Sequence, residues 1–198
     1  MIREEKVRKT DEELIRELQA GDKDAFDELV DRFSGPLLNF IARMVSDYTL
    51  AEDLLQETFI RLWVKKDSYR EIAKFSTWLY TVAGNLAKSE LRRRRFRRML
   101  PLSSGSSKFG DNDDDRSFDL PDPNADSERD YERRNIQSRV EEEISKLPVV
   151  FKEIIILRDV QELSYDEIST ILRIPLGTVK SRVNRARQRL QENLKDLR

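Results

Sequence analysis

The sequence predicts an all-α protein: two small helical domains joined by a flexible acidic linker. Three observations predict it. Apolar residues recur at the i, i+3, i+4, i+7 spacing of a helix through most of the chain, and no stretch alternates as a half-buried strand would. Capping signals and Gly or Pro breaks cut that pattern into helix-length pieces. Between 99 and 135 the composition shifts to Ser, Asp, Pro and Gly, with too few apolar residues to offset the entropy of ordering. The predicted domains are therefore residues 10–98 and 136–198. A chain of 198 residues suits one large domain or two small ones, at about 150 residues per domain. The second domain is small for an independent core.

The elements follow in order. Thr10 with Glu13 forms a capping box, in which each side chain satisfies an orphan amide at a helix start. Leu14, Ile15 and Leu18 then face inward, and Gly21 ends the helix. Asp22 or Asp24 caps a second helix, whose buried face is Phe26, Leu29, Val30 and Phe33. Gly35-Pro36 is expected to interrupt or bend it before the apolar pattern resumes from Leu37 to Val45. A third helix runs from about Tyr48 to Val64, and a fourth from about Ser76 into the arginines at 92–98. Ser164 with Glu167 is a second capping box, and Ile168, Ile171 and Leu172 follow it inward. Arg173-Ile174-Pro175-Leu176-Gly177 is a short turn, and a further helix begins near Thr178. Two short helices joined by a tight turn form a helix-turn-helix.

Composition removes several functions. With no cysteine and no histidine, Cys/His zinc sites, disulfide frameworks, cysteine nucleophiles and Ser-His-Asp triads are excluded. The longest apolar run is four residues, Ile154 to Leu157, whereas a membrane span needs about 20. The opening MIREEKVRKT has no apolar core of a signal peptide, so a cytoplasmic protein without membrane insertion is expected. The net charge of −1 conceals blocks: −5 over residues 1–67, +7 over 68–100, −5 over 101–135, −4 over 136–172 and +6 over 173–198. Two basic segments in acidic surroundings suggest two separate contacts with a polyanion.

The last helix carries one of them. Val179, Val183, Ala186 and Leu190 share one sector of its wheel. Lys180, Ser181, Asn184, Arg185 and Gln188 lie opposite, flanked by Arg182, Arg187 and Arg189. Arg, Asn and Gln can form paired hydrogen bonds with base edges in the major groove, and flanking arginines suit phosphates. Near the fourth helix, Tyr69, Phe75, Trp78 and Tyr80 precede six arginines between 92 and 98. Aromatic rings stack on unpaired bases and arginines hold phosphates, a combination that suits single-stranded DNA, although some of these rings are expected to belong to the core. On the third helix Asp53, Gln56, Glu57 and Ile60 form a polar stripe with one aliphatic, the composition of a docking face as well as of an ordinary surface.

These residues carry a resemblance. Leu147-Pro148 followed by SYDEISTILRIPLGTVKSRVNRARQRL resembles the C-terminal domain of bacterial extracytoplasmic-function (ECF) sigma factors. Similar segments end other regulators, such as LuxR-type response regulators. Asp53-x-x-Gln56-x-x-Phe59-x-x-x-Trp63 resembles the helix with which sigma factors bind RNA polymerase core. Phe75-x-x-Trp78-Leu79-Tyr80-x-Val82-Ala83-x-Asn85 resembles the family's promoter-melting segment, and Lys88 to Arg98 its −10 recognition helix.

The resemblance implies a sigma-2-like bundle and a sigma-4-like helix-turn-helix. Asp53, Gln56, Glu57 and Ile60 would dock on the clamp coiled coil of the largest polymerase subunit. Tyr69, Phe75, Ser76, Trp78, Asn85, Lys88, Arg92, Arg93 and Arg95 would act on melted −10 DNA, with the loop at about 65–74 capturing a flipped base. Thr178, Lys180, Ser181, Arg182, Asn184, Arg185 and Gln188 would read the −35 element. The implied partners are polymerase core, promoter DNA and an anti-sigma factor. No cofactor, metal or catalytic site is expected. The chain departs from the family in two places: Gln161-Glu162 stands where a Gly is common, and Ser89-Glu90-Leu91-Arg92 replaces a commoner Asp-containing segment. The nine acidic residues within 111–130 suggest a linker that mimics RNA in the exit path or merely solubilises.

Overall fold

The computed structural model describes residues 9–99 and 128–195, with side chains described from 134 onward in the second stretch. Their regular elements are all helical: α1 (Asp11–Gln19), α2 (Lys23–Val45), α3 (Tyr48–Lys65), α4 (Phe75–Met99), α5 (Glu128–Lys146), α6 (Val149–Ile155), α7 (Tyr165–Leu172) and α8 (Leu176–Asn193). A 3₁₀ turn, Lys66–Ser68, extends α3, and a π turn, Ile156–Val160, extends α6.

Helix starts follow their caps. At α1 the Glu13 amide donates to the Thr10 hydroxyl at 3.2 Å, and the Thr10 amide donates to the Glu13 carboxylate at 2.7 Å. Asp22 caps α2 by accepting from the Asp24 amide, and Asp47 caps α3 by accepting from the Leu50 amide, both at 2.9 Å. Ser164 and Glu167 form the predicted box at α7. The four N-terminal helices enclose Leu14, Leu29, Leu37, Phe40, Met44, Leu62, Phe75 and Leu79, all fully buried.

Helix α2 does not break at Gly35-Pro36 but runs through both. A proline inside a helix costs about 3 kcal/mol through its missing amide and the clash with the preceding turn. Here Gly35 and Pro36 lie on the exposed side. Phe33, Leu37, Phe40 and Ile41 pack on both sides of the proline and hold the helix in register.

The C-terminal unit packs α6, α7 and α8 around Ile154, Ile155, Ile156, Leu157, Ile168, Val179 and Val183. Its boundary differs from expectation. Helix α5 begins at Glu128, so residues 128–135 are helical although composition places them in the linker. Glu and Arg in that stretch favour helix, but Asp and Pro upstream dominate the composition. The remainder of the predicted linker, 100–127, lies outside the described residues, as does most of the acidic run expected to mimic RNA.

Candidate nucleic-acid interface

The helix-turn-helix is built as the wheel predicts. α7 ends at Arg173, whose left-handed backbone (φ 53) turns the chain, and Pro175 precedes the first residue of α8. The Ser169 hydroxyl donates to the Ile174 carbonyl at 2.6 Å and fixes the turn. Val179, Val183 and Ala186 are fully buried, so the opposite side of α8 must face outward. Lys180, Ser181, Asn184, Arg185 and Gln188 are exposed there, while Thr178 and Arg182 are half-buried at its margin. Two flanking arginines are engaged within the fold. Arg187 Nε donates to Asp159 Oδ2 at 3.1 Å, and the Arg189 guanidinium lies 4.7 Å from the centre of the Phe151 ring.

The capping acid of this unit is strongly perturbed. Burial alone would raise the Glu167 carboxyl, but hydrogen bonds from Lys74, the Ser164 hydroxyl and the Ser164 amide outweigh it and hold the pKa at about 2. A carboxyl depressed in the folded state stabilises fully above its ordinary value of 4.5 and loses that contribution as pH falls toward 2. Because Lys74 is largely exposed and solvent screens the pair, the contribution at neutral pH is about 1 kcal/mol. We therefore expect the stability gap between the native chain and Glu167→Gln, read from urea midpoints, to narrow steadily between pH 5 and pH 3. A gap that stays constant over that interval would contradict the assignment.

The α4 residues divide into two groups. Phe75 is fully buried and Tyr69 nearly so, with ring centroids 5.6 Å apart. The Tyr69 hydroxyl donates to the Ala73 carbonyl at 2.9 Å. In this conformation neither ring is presented to a base, contrary to their assignment to melted DNA. Burial of these apolar rings wins because the loop 65–74 must close over the end of the bundle. Tyr80 is likewise buried, which pushes its phenol above the ordinary value of 10. Ser76 and Trp78 are half-buried, Trp78 stacked on Phe75.

Asn85, Lys88, Arg92 and Arg95 share one face of α4 at helical spacing, and all but Lys88 are well exposed. Arg93 pairs with Glu90 at 2.6 Å, and Arg94 pairs with Asp47 at 2.8 Å. Glu90, one of the departures from the family pattern, is thereby buried against the arginine run it precedes. The other departure has a backbone consequence: Glu162 adopts φ 56, the left-handed region that a glycine would enter at no cost.

On α3, Asp53, Gln56 and Ile60 are exposed and Glu57 is half-buried beside Arg61 at 2.8 Å. Val64, which sequence reasoning does not assign, and Trp63, which it names only as part of the core-binding motif, continue this stripe. Val64, 70% exposed, lies one turn beyond Ile60, and Trp63, 39% exposed, packs its other edge on Phe26 with centroids 5.1 Å apart. The four-residue spacing of Ile60 and Val64 is the signal that could have found Val64. In the loop before α4, Ile72 is 91% exposed and equally unassigned.

Among the described residues no group of three or more His, Cys, Asp or Glu is placed to hold a metal ion, and no helix is long and apolar enough to cross a membrane.

Comparison with known proteins agrees with this geometry. Residues 29–97 match the family model of sigma-70 region 2, and residues 137–190 match that of sigma-70 region 4. The ECF RNA polymerase sigma factor SigW of Bacillus subtilis is 34% identical over 187 residues, covering 92% of this chain and 96% of the relative. The chain belongs to the ECF sigma factor family. The RNA polymerase sigma-H factor of Pseudomonas aeruginosa is 35% identical over 94% of this chain and 95% of its own length. Among solved structures, the sigma factor RpoE of Bartonella quintana in complex with the anti-sigma factor NepR has a TM-score of 0.65 at 27% identity, over 88% of this chain and 98% of that one. CnrH in complex with the cytosolic domain of CnrY has a TM-score of 0.69 at 22% identity, over 95% and 99%, and shares the fold.

Proposed function

We propose that this ECF sigma factor docks on core RNA polymerase through the exposed stripe of α3, reads −35 duplex with α8 and holds melted −10 DNA along α4. The observation that carries the reading is α8. Three fully buried residues leave Lys180, Asn184, Arg185 and Gln188 on one exposed face, where none makes a hydrogen bond or ion pair among the described residues. Those side chains match the donor and acceptor code of the major groove. Asn85, Arg92 and Arg95 supply the second contact, with phosphates held by arginine and affinity falling as salt rises.

In this reading the chain supplies specificity, and the nucleotide chemistry belongs to the core enzyme. The Bartonella structure pairs a sigma factor with an anti-sigma factor, and we infer similar control here. The partners would then be core polymerase, promoter DNA and an anti-sigma factor, all met in the cytoplasm.

The test is reconstitution with core polymerase on a library of promoter DNA, which reads class and specificity together. The docking face is tested separately. Asp53 and Gln56 are exposed and make no hydrogen bond or ion pair among the described residues. Replacing both by Ala should leave thermal unfolding unchanged and weaken binding to core roughly tenfold, about 1.4 kcal/mol. Unchanged affinity would remove α3 from the interface.

A further inference from the structure

The two units touch, and they touch beside the basic face of α4. Five polar contacts cross between them, the longest being Gln161 Nε2 donating to Asn39 Oδ1 at 3.5 Å. Arg43 meets Glu141 at 2.8 Å, the Tyr80 hydroxyl donates to Gln161 Oε1 at 2.7 Å, Lys88 meets Glu153 at 2.9 Å, and Lys74 meets Glu167 at 2.8 Å. The acidic partners all come from the block of charge −4 over residues 136–172, and Lys74 and Lys88 from the block of +7 over 68–100.

Glu153 is the unusual member. Its side chain is 6% exposed, and burial pushes its carboxyl up against the opposing pull of Lys88 and Arg182. Oε1 lies within ion-pair distance of Lys88 Nζ but finds no hydrogen bond of good geometry. It is seated against α4 at Gly84, where a Cβ would stand 3.0 Å from Oε1 and 3.6 Å from Cζ of Phe40. Any larger residue at 84 would displace the carboxylate. A buried charge that is incompletely paired is costly, so a contact built on it is poised to open.

A carboxylate against Lys88 occupies the position a DNA phosphate would take. The closed arrangement is also too small for its proposed task. A compact body of this size has a radius of gyration of about 15 Å, whereas two promoter boxes two helical turns apart lie ~70 Å from each other. We propose that Glu153, seated on Gly84, stands in for a DNA phosphate at Lys88 and, with Glu167 on Lys74, closes the free chain on itself so that part of its melted-strand surface is masked. The masking rests on the proposed −10 role of Lys88; the closure does not.

The chain has no cysteine, so cysteines placed at Glu52 and Glu192, both exposed, accept a donor and acceptor dye without background. In the full-length protein, high energy transfer is expected for the unaltered chain. Glu153→Lys and the charge-neutral wedge Gly84→Val should each lower it and raise affinity for a mixed-sequence single-stranded DNA about tenfold. Combining Glu153→Lys with Lys88→Glu should restore transfer and remove the gain in DNA affinity. Low transfer in the unaltered chain, or transfer unchanged in both variants, overturns the closure. Reduced transfer with DNA affinity unchanged overturns the masking. In the Gly84→Val background, Lys88→Ala should weaken single-strand binding; no effect there overturns the −10 assignment while leaving the closure standing.

Discussion

Phe75→Ala should destabilise the N-terminal bundle by about 3–5 kcal/mol, the range for removing a buried phenyl ring. Phe75 is fully buried at the start of α4, and three aromatic rings meet it. Phe33 and Tyr69 approach edge-on with centroids at 5.6 Å, and Trp78 stacks at 6.1 Å. Its amide donates to Glu12 at 3.1 Å, which ties α4 to α1. Truncation therefore leaves a cavity at the junction of three helices and the 65–74 loop. A domain near the lower end of the ordinary range of about 5–15 kcal/mol would lose most of its stability. The check is a urea titration followed by tryptophan fluorescence, with Asn85→Ala as the contrast. Asn85 is exposed on the same helix, and its truncation should change stability by no more than about 0.5 kcal/mol. A small effect of Phe75→Ala on stability, joined to weaker single-strand binding, would return this ring to base stacking.

That prediction also shows where the sequence is legible and where it is not. Spacing separates one face of a helix from the other, so it identifies the buried set Val179, Val183 and Ala186 and the exposed set opposite. Capping boxes locate α1 and α7 because their chemistry is local. The same reasoning cannot separate Phe75 from a stacking residue, since aromatic rings serve both cores and unpaired bases. Helix α6 escapes it because its turn from Lys152 to Ile155 is buried all round while Val149 and Val150 are exposed, which leaves no amphipathic period to read. Pro36 misleads because the bundle, not the local backbone preference, holds α2 together. The pairs Lys88–Glu153 and Lys74–Glu167 join residues far apart in sequence, and charge blocks indicate only that such segments attract. Glu162 stands out in the sequence as a departure from a glycine, and its positive φ is the physical content of that departure.

Arg185→Ala and Asn184→Ala should each reduce discrimination between a cognate −35 element and its single-base variants by about 1–3 kcal/mol. Both side chains project from the exposed face of α8 and form no hydrogen bond or ion pair among the described residues, so stability should change by no more than about 0.5 kcal/mol. Arg187→Ala is the informative control. Its guanidinium is already held by Asp159, at an exposed pair of the kind worth about 0–1 kcal/mol. Its removal should cost a little stability and little base selectivity. The measurement is competition among promoter variants by polymerase reconstituted with each mutant sigma factor, repeated at several salt concentrations. If Arg185 reads a base, its truncation should relax selectivity at one position. If Arg185 holds a phosphate instead, truncation should weaken all sequences equally and reduce the salt slope by about one. Uniform weakening would therefore keep α8 on DNA but transfer the reading of bases to its other exposed residues, Lys180 and Gln188 first among them.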